Sequence, residues 1–375
     1  MRFIRLLIPG LVIQAVLVGG GYSTGRELVE FFLVSGPATA LPGMAMTAAF
    51  FSLGSMISFE LARQYQAFDY RSFCRVYLGR GWVLFEWGYI AILLLVLSVV
   101  SSAAGKLLSE MTGTQEFLDS IIFMGGVGLI VFFGSGFIER VISACSLFFY
   151  LVYGSMFLMV VHKFGGALAA ALTSAPPSYP QALRDSISYA GYNIAILPVL
   201  MFVARNFKSR REAFVAGAMA GPLILLPGFA FLLALSAFYP AIMDAPLPVT
   251  IVLAKLGSPV LTLFARIVIL GALVKTGVGL LHGLNERFAR SFMERGVAMP
   301  RGLRPAIAIG LMALAVYLAA SLGIVELIAR GYRYSSYYFL AVFVLPLATR
   351  GVWLVFRGGL AGPTPVAAAG LQRSD

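Results

Sequence analysis

The chain contains few of the residues on which catalytic and metal centres depend. Its 375 residues include two histidines, two cysteines and 16 acidic residues. His282 and Glu286 lie one helical turn apart, but two residues do not make a metal site. The sequence also has no Walker-type phosphate loop and no cluster of acid–base residues near one interface. We therefore expect neither an enzyme nor a metalloprotein, and no organic cofactor.

The chain also lacks a polar stretch long enough to form a soluble domain. Hydrophobic residues make up 60% of it and charged residues 12%, and the mean hydropathy is +0.90. A membrane-spanning helix needs about 20 mostly apolar residues, and about ten such windows follow one another, which predicts an all-α polytopic protein of the lipid bilayer. The predicted spans are residues 4–33, 38–62, 82–110, 117–134, 137–162, 182–203, 212–238, 259–284, 304–322 and 335–357.

The net charge of +12 does not indicate a nucleic-acid partner, because the basic residues collect in the loops of one side. If the N-terminus is cytoplasmic, most lysines and arginines lie in cytoplasmic segments, as the positive-inside rule requires. Both termini are then cytoplasmic, and we expect a bacterial-type inner membrane. Residues 1–5 and the apolar run after them resemble a secretory signal, but no cleavage site precedes the glycines. Cys74 and Cys145 do not imply a disulfide.

A glycine-rich segment interrupts the first span, with the sequence Gly19-Gly20-Gly21-Tyr22-Ser23-Thr24-Gly25. Unwound backbone at membrane depth persists only where protein, a ligand or a water-filled cavity satisfies it. Carbonyl groups of residues 18–21, including Val18, would end one half-helix and suit a cation, whereas N–H groups of residues 23–25 would begin the next and suit a carboxylate. A zwitterionic amino acid matches this layout. Ser23 and Thr24 are either hydroxyl ligands or simple N-caps.

A proline-rich segment, residues 175–180, divides the chain into two halves of five spans each. We expect a first half at 1–174, a second half at 175–358 and a flexible cytoplasmic tail at 359–375. An odd number of spans per half gives the halves opposite orientations, as in inverted-repeat transporters. The sixth span also contains a predicted interruption, Tyr189-Ala190-Gly191-Tyr192-Asn193, whose polar side chains would bind the solute or satisfy freed backbone. Gly191 alone would fit close helix packing equally well.

These two interruptions, together with Lys275-Thr276-Gly277 in the eighth span, give the chain a resemblance to the YkvI-type membrane proteins. More distantly it resembles the amino acid/polyamine/organocation superfamily with its leucine-transporter fold. The resemblance implies a secondary transporter with a five-plus-five inverted repeat, interrupted helices 1 and 6, and a solute bound between helices 1, 3, 6 and 8. In sodium-coupled relatives, hydroxyl residues on the eighth helix hold an ion against the first break, a role that falls here to Thr276.

Lys275 lies well inside the eighth span, where a charge costs several kcal/mol unless it is solvated or paired. We hypothesise that its ammonium occupies or abuts the cation position, which would favour proton coupling or uncoupled exchange over sodium symport. Snorkelling, or pairing with Glu27 or Glu86, is the alternative. Ser98, in the third span, would contribute to a polar wall or to helix packing. Arg26 and Glu27 would form an outer gate, unless Glu27 only complements the helix dipole.

The sequence thus predicts a transporter that moves a small amino-acid-like solute by alternating access, with Na+ or H+ as a candidate coupling ion. A channel, a membrane enzyme and a scaffold are the alternatives. A scaffold has no need for two interrupted helices, and saturable counterflow separates a carrier from a channel. Residues 246–256 are predicted to form a helical cap on the outer face. Residues 323–333 are either a short outer helix or an extension of a neighbouring span.

Overall fold

Apolar runs separated by glycine and proline form the helices of the computed structural model, which describes residues 2–133, 136–293, 300 and 302–357. The predicted all-helical polytopic architecture is confirmed, whereas the predicted tail at 359–375 lies outside the described residues. The α-helices are α1 Arg2–Leu17, α2 Gly20–Thr24, α3 Arg26–Phe31, α4 Pro37–Tyr65, α5 Tyr70–Leu78, α6 Trp82–Thr112, α7 Glu116–Phe133, α8 Gly136–Thr173, α9 Tyr179–Asn193, α10 Arg210–Ser236, α11 Pro248–Leu256, α12 Pro259–Met293, α13 Leu303–Glu326, α14 Arg333–Phe339 and α15 Val352–Arg357.

Tighter and wider helical turns connect several of these elements. A 3-10 helix at Ile194–Asn206 continues α9, and short 3-10 turns lie at Leu33–Ser35 and Gly79–Gly81. Wider π-helical turns occupy Leu327–Tyr332, Leu340–Val344 and Leu347–Gly351.

Seven segments of the described chain are long and apolar enough to cross a membrane: Pro37–Tyr65, Tyr70–Thr112, Phe148–Thr173, Tyr179–Asn206, Arg210–Ser236, Pro259–Phe288 and Leu303–Arg357. The first span contributes only the shorter apolar helix Arg5–Leu17, because a break ends it. Leu303–Arg357 contains the last two predicted spans in 55 residues, and Gly323, with φ 70° and ψ 166°, separates them. Residues 327–333 therefore extend the tenth span and do not form a separate outer helix.

The sixth span lies at the centre of the bundle. Within Tyr179–Asn206, 67% of the most apolar 18-residue window is buried inside the protein. The corresponding buried share in Phe148–Thr173 is 11%. The predicted interruption takes the form of a change from α-helix to 3-10 helix after Asn193, without an unwound segment. Pro198 provides a physical reason, because it has no N–H to donate to the carbonyl group four residues earlier and its ring clashes with that carbonyl.

Two sets of contacts define the two sides of the bundle. On the side where α1 starts, which we call the N-terminal side, Gln64 Nε2 donates to the carbonyl oxygen of Val355 at 3.2 Å. On the opposite, far side, the Ser178 N–H donates to Thr39 Oγ1 at 3.1 Å. The predicted helical cap is α11, and Lys163 Nζ of α8 donates to the carbonyl of its last residue, Leu256, at 2.9 Å.

Helices α4 and α10 approach closely through small residues, as is common between membrane helices. An added Cβ at Gly221 of α10 would clash with the carbonyl oxygen of Ala48 in α4, and one at Gly217 would lie 2.5 Å from the backbone of Met56. Helix α1 packs on α10 as well, where the Gln14 amide donates to the carbonyl oxygen of Leu223. These contacts hold the first helix at the centre, beside the sixth.

Candidate functional site

The first helix is divided at two points. Helix α1 ends at Leu17, where two of its terminal carbonyls are satisfied locally: Val18 N–H donates to the carbonyl of Gln14 at 2.9 Å, and Gly19 N–H donates to that of Leu17 at 2.7 Å. A single helical turn, α2, follows. Gly25 then adopts a φ of 83°, which glycine reaches without strain, before α3 begins. The predicted break is therefore present as two joints on either side of one turn.

The hydroxyl groups within the break bond to the break itself. Ser23 Oγ donates to the carbonyl of Gly20 at 3.0 Å, and Thr24 Oγ1 donates to that of Gly21 at 2.8 Å. Ser23 N–H donates to the carbonyl of Gly19 at 2.9 Å. From α8, the Tyr153 hydroxyl donates to the Ser23 carbonyl. Three of the four carbonyl groups that we predicted as cation ligands, those of Gly19, Gly20 and Gly21, are therefore already hydrogen-bonded, and the two hydroxyls donate to the backbone.

A cavity of about 460 Å³ lies against this break. This volume falls within the range of small-molecule sites. Six aliphatic side chains form much of its wall: Ile92, Leu93, Val96, Ile196, Val199 and Leu200. Its polar and glycine wall residues are Gly19, Gly20, Gly21, Glu27, Tyr89, Tyr192, Asn193, Lys275, Thr276, Gly279, Gly283, Arg287 and Tyr332, and Ala15, Val16, Leu17 and Leu280 complete it. The walls thus come from the parts of helices 1, 3, 6 and 8 between the break and the N-terminal side, closed at one end by Tyr332.

About half of the predicted site residues lie in this wall. They are Gly19, Gly20, Gly21, Glu27, Tyr192, Asn193, Lys275 and Thr276. The other predicted residues are not in the wall: Val18, Tyr22, Ser23, Thr24, Gly25, Arg26, Ser98 and Tyr189.

The displaced residues have other partners that explain their positions. Ser98 is fully buried, and its hydroxyl donates to the carbonyl of Leu94, one turn earlier in α6, at 2.9 Å. The Tyr22 ring points towards α10, where its hydroxyl occupies the space that a side chain at Gly228 would fill. Ser98 is therefore not part of the predicted polar wall, and Tyr22, predicted as a solute-binding residue of the break, does not line the cavity.

Lys275 and Thr276 both lie beside the first joint of helix 1. Lys275 Nζ donates to the carbonyl of Ala15 at 3.0 Å, and a cation at the C-terminal end of a helix is favoured by the helix dipole. Thr276 Oγ1 would lie 3.1 Å from an added Cβ at Gly19, and this hydroxyl donates to the carbonyl of Ala272 at 2.8 Å. The lysine ammonium therefore abuts the C-terminal end of α1, at the carbonyl of Ala15 and not at the carbonyls of residues 18–21.

Glu27 connects the first helix to the sixth. Its side chain is 7% exposed, and Tyr192 donates its hydroxyl to Glu27 Oε2 at 3.0 Å. An added Cβ at Gly21 would clash with Glu27 Oε1, so the carboxyl group folds back over the turn α2. The absence of a side chain at Gly21 therefore makes room for this carboxyl group.

Arg26 pairs with Glu30 and not with Glu27, its partner in the predicted gate. Arg26 Nη2 pairs with Glu30 Oε2 at 2.8 Å, and its Nη1 donates to the carbonyls of Met243 at 2.5 Å and Ala245 at 3.3 Å. Arg333 of α14 also pairs with Glu30, at 3.2 Å. The residue one helical turn from Arg26, not its immediate neighbour, is thus the anion of this far-side clamp.

Aromatic rings separate the cavity from the far side. The ring centroid of Tyr192 lies 4.7 Å from that of Tyr332, 5.5 Å from that of Phe31 and 5.7 Å from that of Tyr189. All four residues are buried. Water reaching the far side is therefore kept from the cavity by this aromatic layer and by the clamp.

The N-terminal end of the cavity holds an ion pair that sequence reasoning missed. Arg287 of α12 pairs with Glu86 of α6 at 2.9 Å. Its guanidinium carbon lies 4.2 Å from the ring centroid of Tyr70 and 4.5 Å from that of Tyr89, which are cation–π distances. From the sequence, Glu86 was one of the alternative partners of Lys275, and no pair with Arg287 was predicted.

No family model matches the whole or part of the chain. The uncharacterized membrane protein YkvI of Bacillus subtilis (strain 168) is 26% identical to it over 299 residues, which cover 75% of this chain and 80% of YkvI. The chain is similar in sequence to this membrane protein, so the resemblance predicted from the two interruptions and residues 275–277 is confirmed.

Two solved structures have a similar fold. The crystal structure of MhsT in complex with L-phenylalanine has a TM-score of 0.57 at 15% identity, with 93% of this chain and 97% of that chain covered. The Eremococcus coleocola manganese transporter, in complex with an aromatic bis-isothiourea substituted compound, has a TM-score of 0.55 at 15% identity, with 95% and 84% covered. The chain therefore has the leucine-transporter fold.

Proposed function

We propose that this chain is a secondary transporter that moves a small amino-acid-like solute across a bacterial inner membrane by alternating access. The observation that carries the proposal is the cavity of about 460 Å³ against the twice-jointed first helix. A structural scaffold has no need for such a cavity at the point where a central helix is broken. The relatives support the proposal through their fold.

The chemistry of the wall suits a zwitterion with an apolar side chain. Gly20 and Gly21 begin the turn α2, and N–H groups in the first turn of a helix have no partner within that helix. Gly20 and Gly21 line the cavity, and their N–H groups would favour a carboxylate. The six aliphatic residues would surround the apolar part of the solute.

The ion pairs at the two ends suit alternating access. On the far side, Arg26 and Arg333 hold Glu30, and this clamp with the aromatic layer closes that approach. At the N-terminal end, Glu86 and Arg287 are only 13% and 10% exposed, so their pair narrows that approach as well. Rocking of one group of helices against the other would open these two ends in turn.

Coupling would involve the cation position at the end of α1. Because Lys275 already donates to the Ala15 carbonyl there, we infer that the transporter uses protons or exchanges solutes without an ion, and does not use sodium. With the positive-inside rule, the N-terminal side is cytoplasmic. The cavity in this structure would then face the cytoplasm.

Counterflow in proteoliposomes tests this function. Vesicles preloaded with unlabelled L-leucine should accumulate labelled L-leucine in a saturable manner, whereas a channel would show no counterflow. A Gly21→Leu variant should lose counterflow, because its side chain would displace the Glu27 carboxyl group. Gly125→Leu is the matched control, since no atom lies within 4 Å of an added Cβ there. Normal counterflow by the Gly21 variant would show that the site lies elsewhere.

A further inference from the structure

We propose that Glu27 and Tyr192 form the subsite for the ammonium group of the solute, so that the substrates are primary amines with an apolar body. This inference rests on the proposed transport function and assigns one end of its site. It also replaces the gate role that we predicted for Glu27 from the sequence.

One oxygen of the Glu27 carboxyl group is available to a ligand. Oε2 accepts the hydrogen bond of Tyr192 at 3.0 Å, whereas Oε1 accepts none from the described residues, and Glu27 belongs to the cavity wall. Tyr192 holds the carboxyl group in place from the sixth helix, and Gly21 leaves space for it. The subsite therefore joins the two helices that a moving carrier must coordinate.

Among the described residues, no lysine or arginine forms an ion pair with Glu27. The neighbouring ionisable groups from α2, α9 and the start of the tenth span are the phenols of Tyr22, Tyr189, Tyr192 and Tyr332, which are neutral at physiological pH. The nearby Arg26 is committed to Glu30 and two backbone carbonyls. A buried carboxylate without a cation is costly, so a cationic ligand group would be bound strongly here.

A second acceptor lies on the same wall. Asn193 Nδ2 donates to the carbonyl of Tyr189 at 3.0 Å, and no described residue donates to Asn193 Oδ1, so this oxygen can accept a hydrogen bond. An ammonium group has three donors, and Glu27 Oε1 with Asn193 Oδ1 would take two of them. Side chains that suit a divalent metal are scarce by comparison, because no group of three His, Cys, Asp or Glu residues occurs in the described part of the chain.

The first test uses three probes of the same shape on the wild-type protein. L-Leucine and 3-methylbutylamine carry an ammonium group, whereas 4-methylpentanoate keeps the carboxylate and lacks it. In competition against counterflow of labelled L-leucine, the amine should compete and the acid should not. Stronger competition by the acid than by the amine would overturn the ammonium subsite, and this result does not depend on any variant folding.

The second test changes the subsite itself. By isothermal titration in detergent, Glu27→Gln should bind L-leucine about 100-fold more weakly, because it loses a buried charge pair, and Tyr192→Phe about 10-fold more weakly. Glu27→Asp, which keeps the charge, should recover part of the affinity. Glu326→Gln is the matched control, because Glu326 pairs with Arg330 at an exposed position, with the two side chains 45% and 74% exposed.

The outcomes separate this inference from the proposed function. Saturable counterflow by the wild-type protein together with unchanged leucine affinity in Glu27→Gln would overturn the subsite and leave the transporter intact. The same holds if Glu27→Gln keeps its affinity and loses only the pH dependence of transport, which would make Glu27 a proton carrier. Absence of binding and counterflow for every probe in the wild-type protein would overturn both.

Discussion

Replacing Lys275 by methionine separates a coupling role from a structural one. The ammonium donates to the Ala15 carbonyl at 3.0 Å, and a hydrogen bond of a charged group contributes about 1.5–3 kcal/mol. Placing a lysine near the centre of a membrane helix costs about 2.5–3.5 kcal/mol on insertion scales. Because these two terms oppose each other, Lys275→Met should change the free energy of unfolding by no more than about 2 kcal/mol.

The effect on transport should be much larger than the effect on stability. If one proton moves with each solute, a gradient of one pH unit, worth about 1.4 kcal/mol, supports about a tenfold accumulation. We expect this accumulation in wild-type proteoliposomes and none in Lys275→Met, while counterflow of labelled L-leucine continues. A sodium gradient should drive neither protein.

Lys163→Met is the matched control for this prediction. Lys163 also donates to a backbone carbonyl, that of Leu256, at 2.9 Å, but it lies on the far side and outside the cavity wall. Its variant should accumulate solute as the wild type does. Sodium-driven uptake that persists without a proton gradient would refute the reasoning. Undiminished accumulation by Lys275→Met would do so as well.

Three further predictions concern stability and gating. Glu60 is fully buried and pairs with Arg63 at 2.7 Å, so Glu60→Ala should lower the free energy of unfolding by about 3 kcal/mol. Glu326 is exposed, so Glu326→Ala should change this free energy by less than about 0.5 kcal/mol. Urea titration in detergent measures both changes. Gly221→Ala should cost about 1–3 kcal/mol through overpacking against a backbone carbonyl, and an unchanged melting temperature would contradict the close approach of α4 and α10. Arg26→Ala removes charge-assisted hydrogen bonds of the clamp that contribute about 1.5–3 kcal/mol. A cysteine introduced in the cavity wall should then react at least about tenfold faster with an impermeant thiol reagent added from the far side. An unchanged labelling rate would contradict the clamp.

Hydropathy and glycine content were enough to predict the helices and the first break. Apolar windows of about 20 residues directly indicate helices that cross the bilayer. A run of three glycines, such as 19–21, has no role in an uninterrupted helix and therefore indicates a break. The sixth helix was harder to predict, because Gly191 and Pro198 signal a departure from α-helix without specifying its form. The structure shows a 3-10 continuation at Ile194–Asn206, which depends on the local hydrogen-bond pattern.

The direction in which individual side chains point could not be predicted from the sequence. Serine and threonine compete for nearby backbone carbonyls, and Ser23, Thr24 and Ser98 all donate to carbonyls three or four residues earlier in their own helices. The pair of Arg287 with Glu86 joins residues 201 positions apart. No local pattern marks such a pair, because it depends on how α6 and α12 pack.

The self-satisfied turn at 20–24 has a consequence for the thermodynamics of association. The hydroxyls of Ser23 and Thr24 donate hydrogen bonds to its carbonyl groups, so the turn keeps its conformation when no solute is bound. A solute that arrives therefore does not have to order this stretch of chain, and less conformational entropy is lost on association. Valine at both hydroxyl positions should leave the turn less ordered, and the affinity should then fall mainly through a more unfavourable entropy in calorimetry.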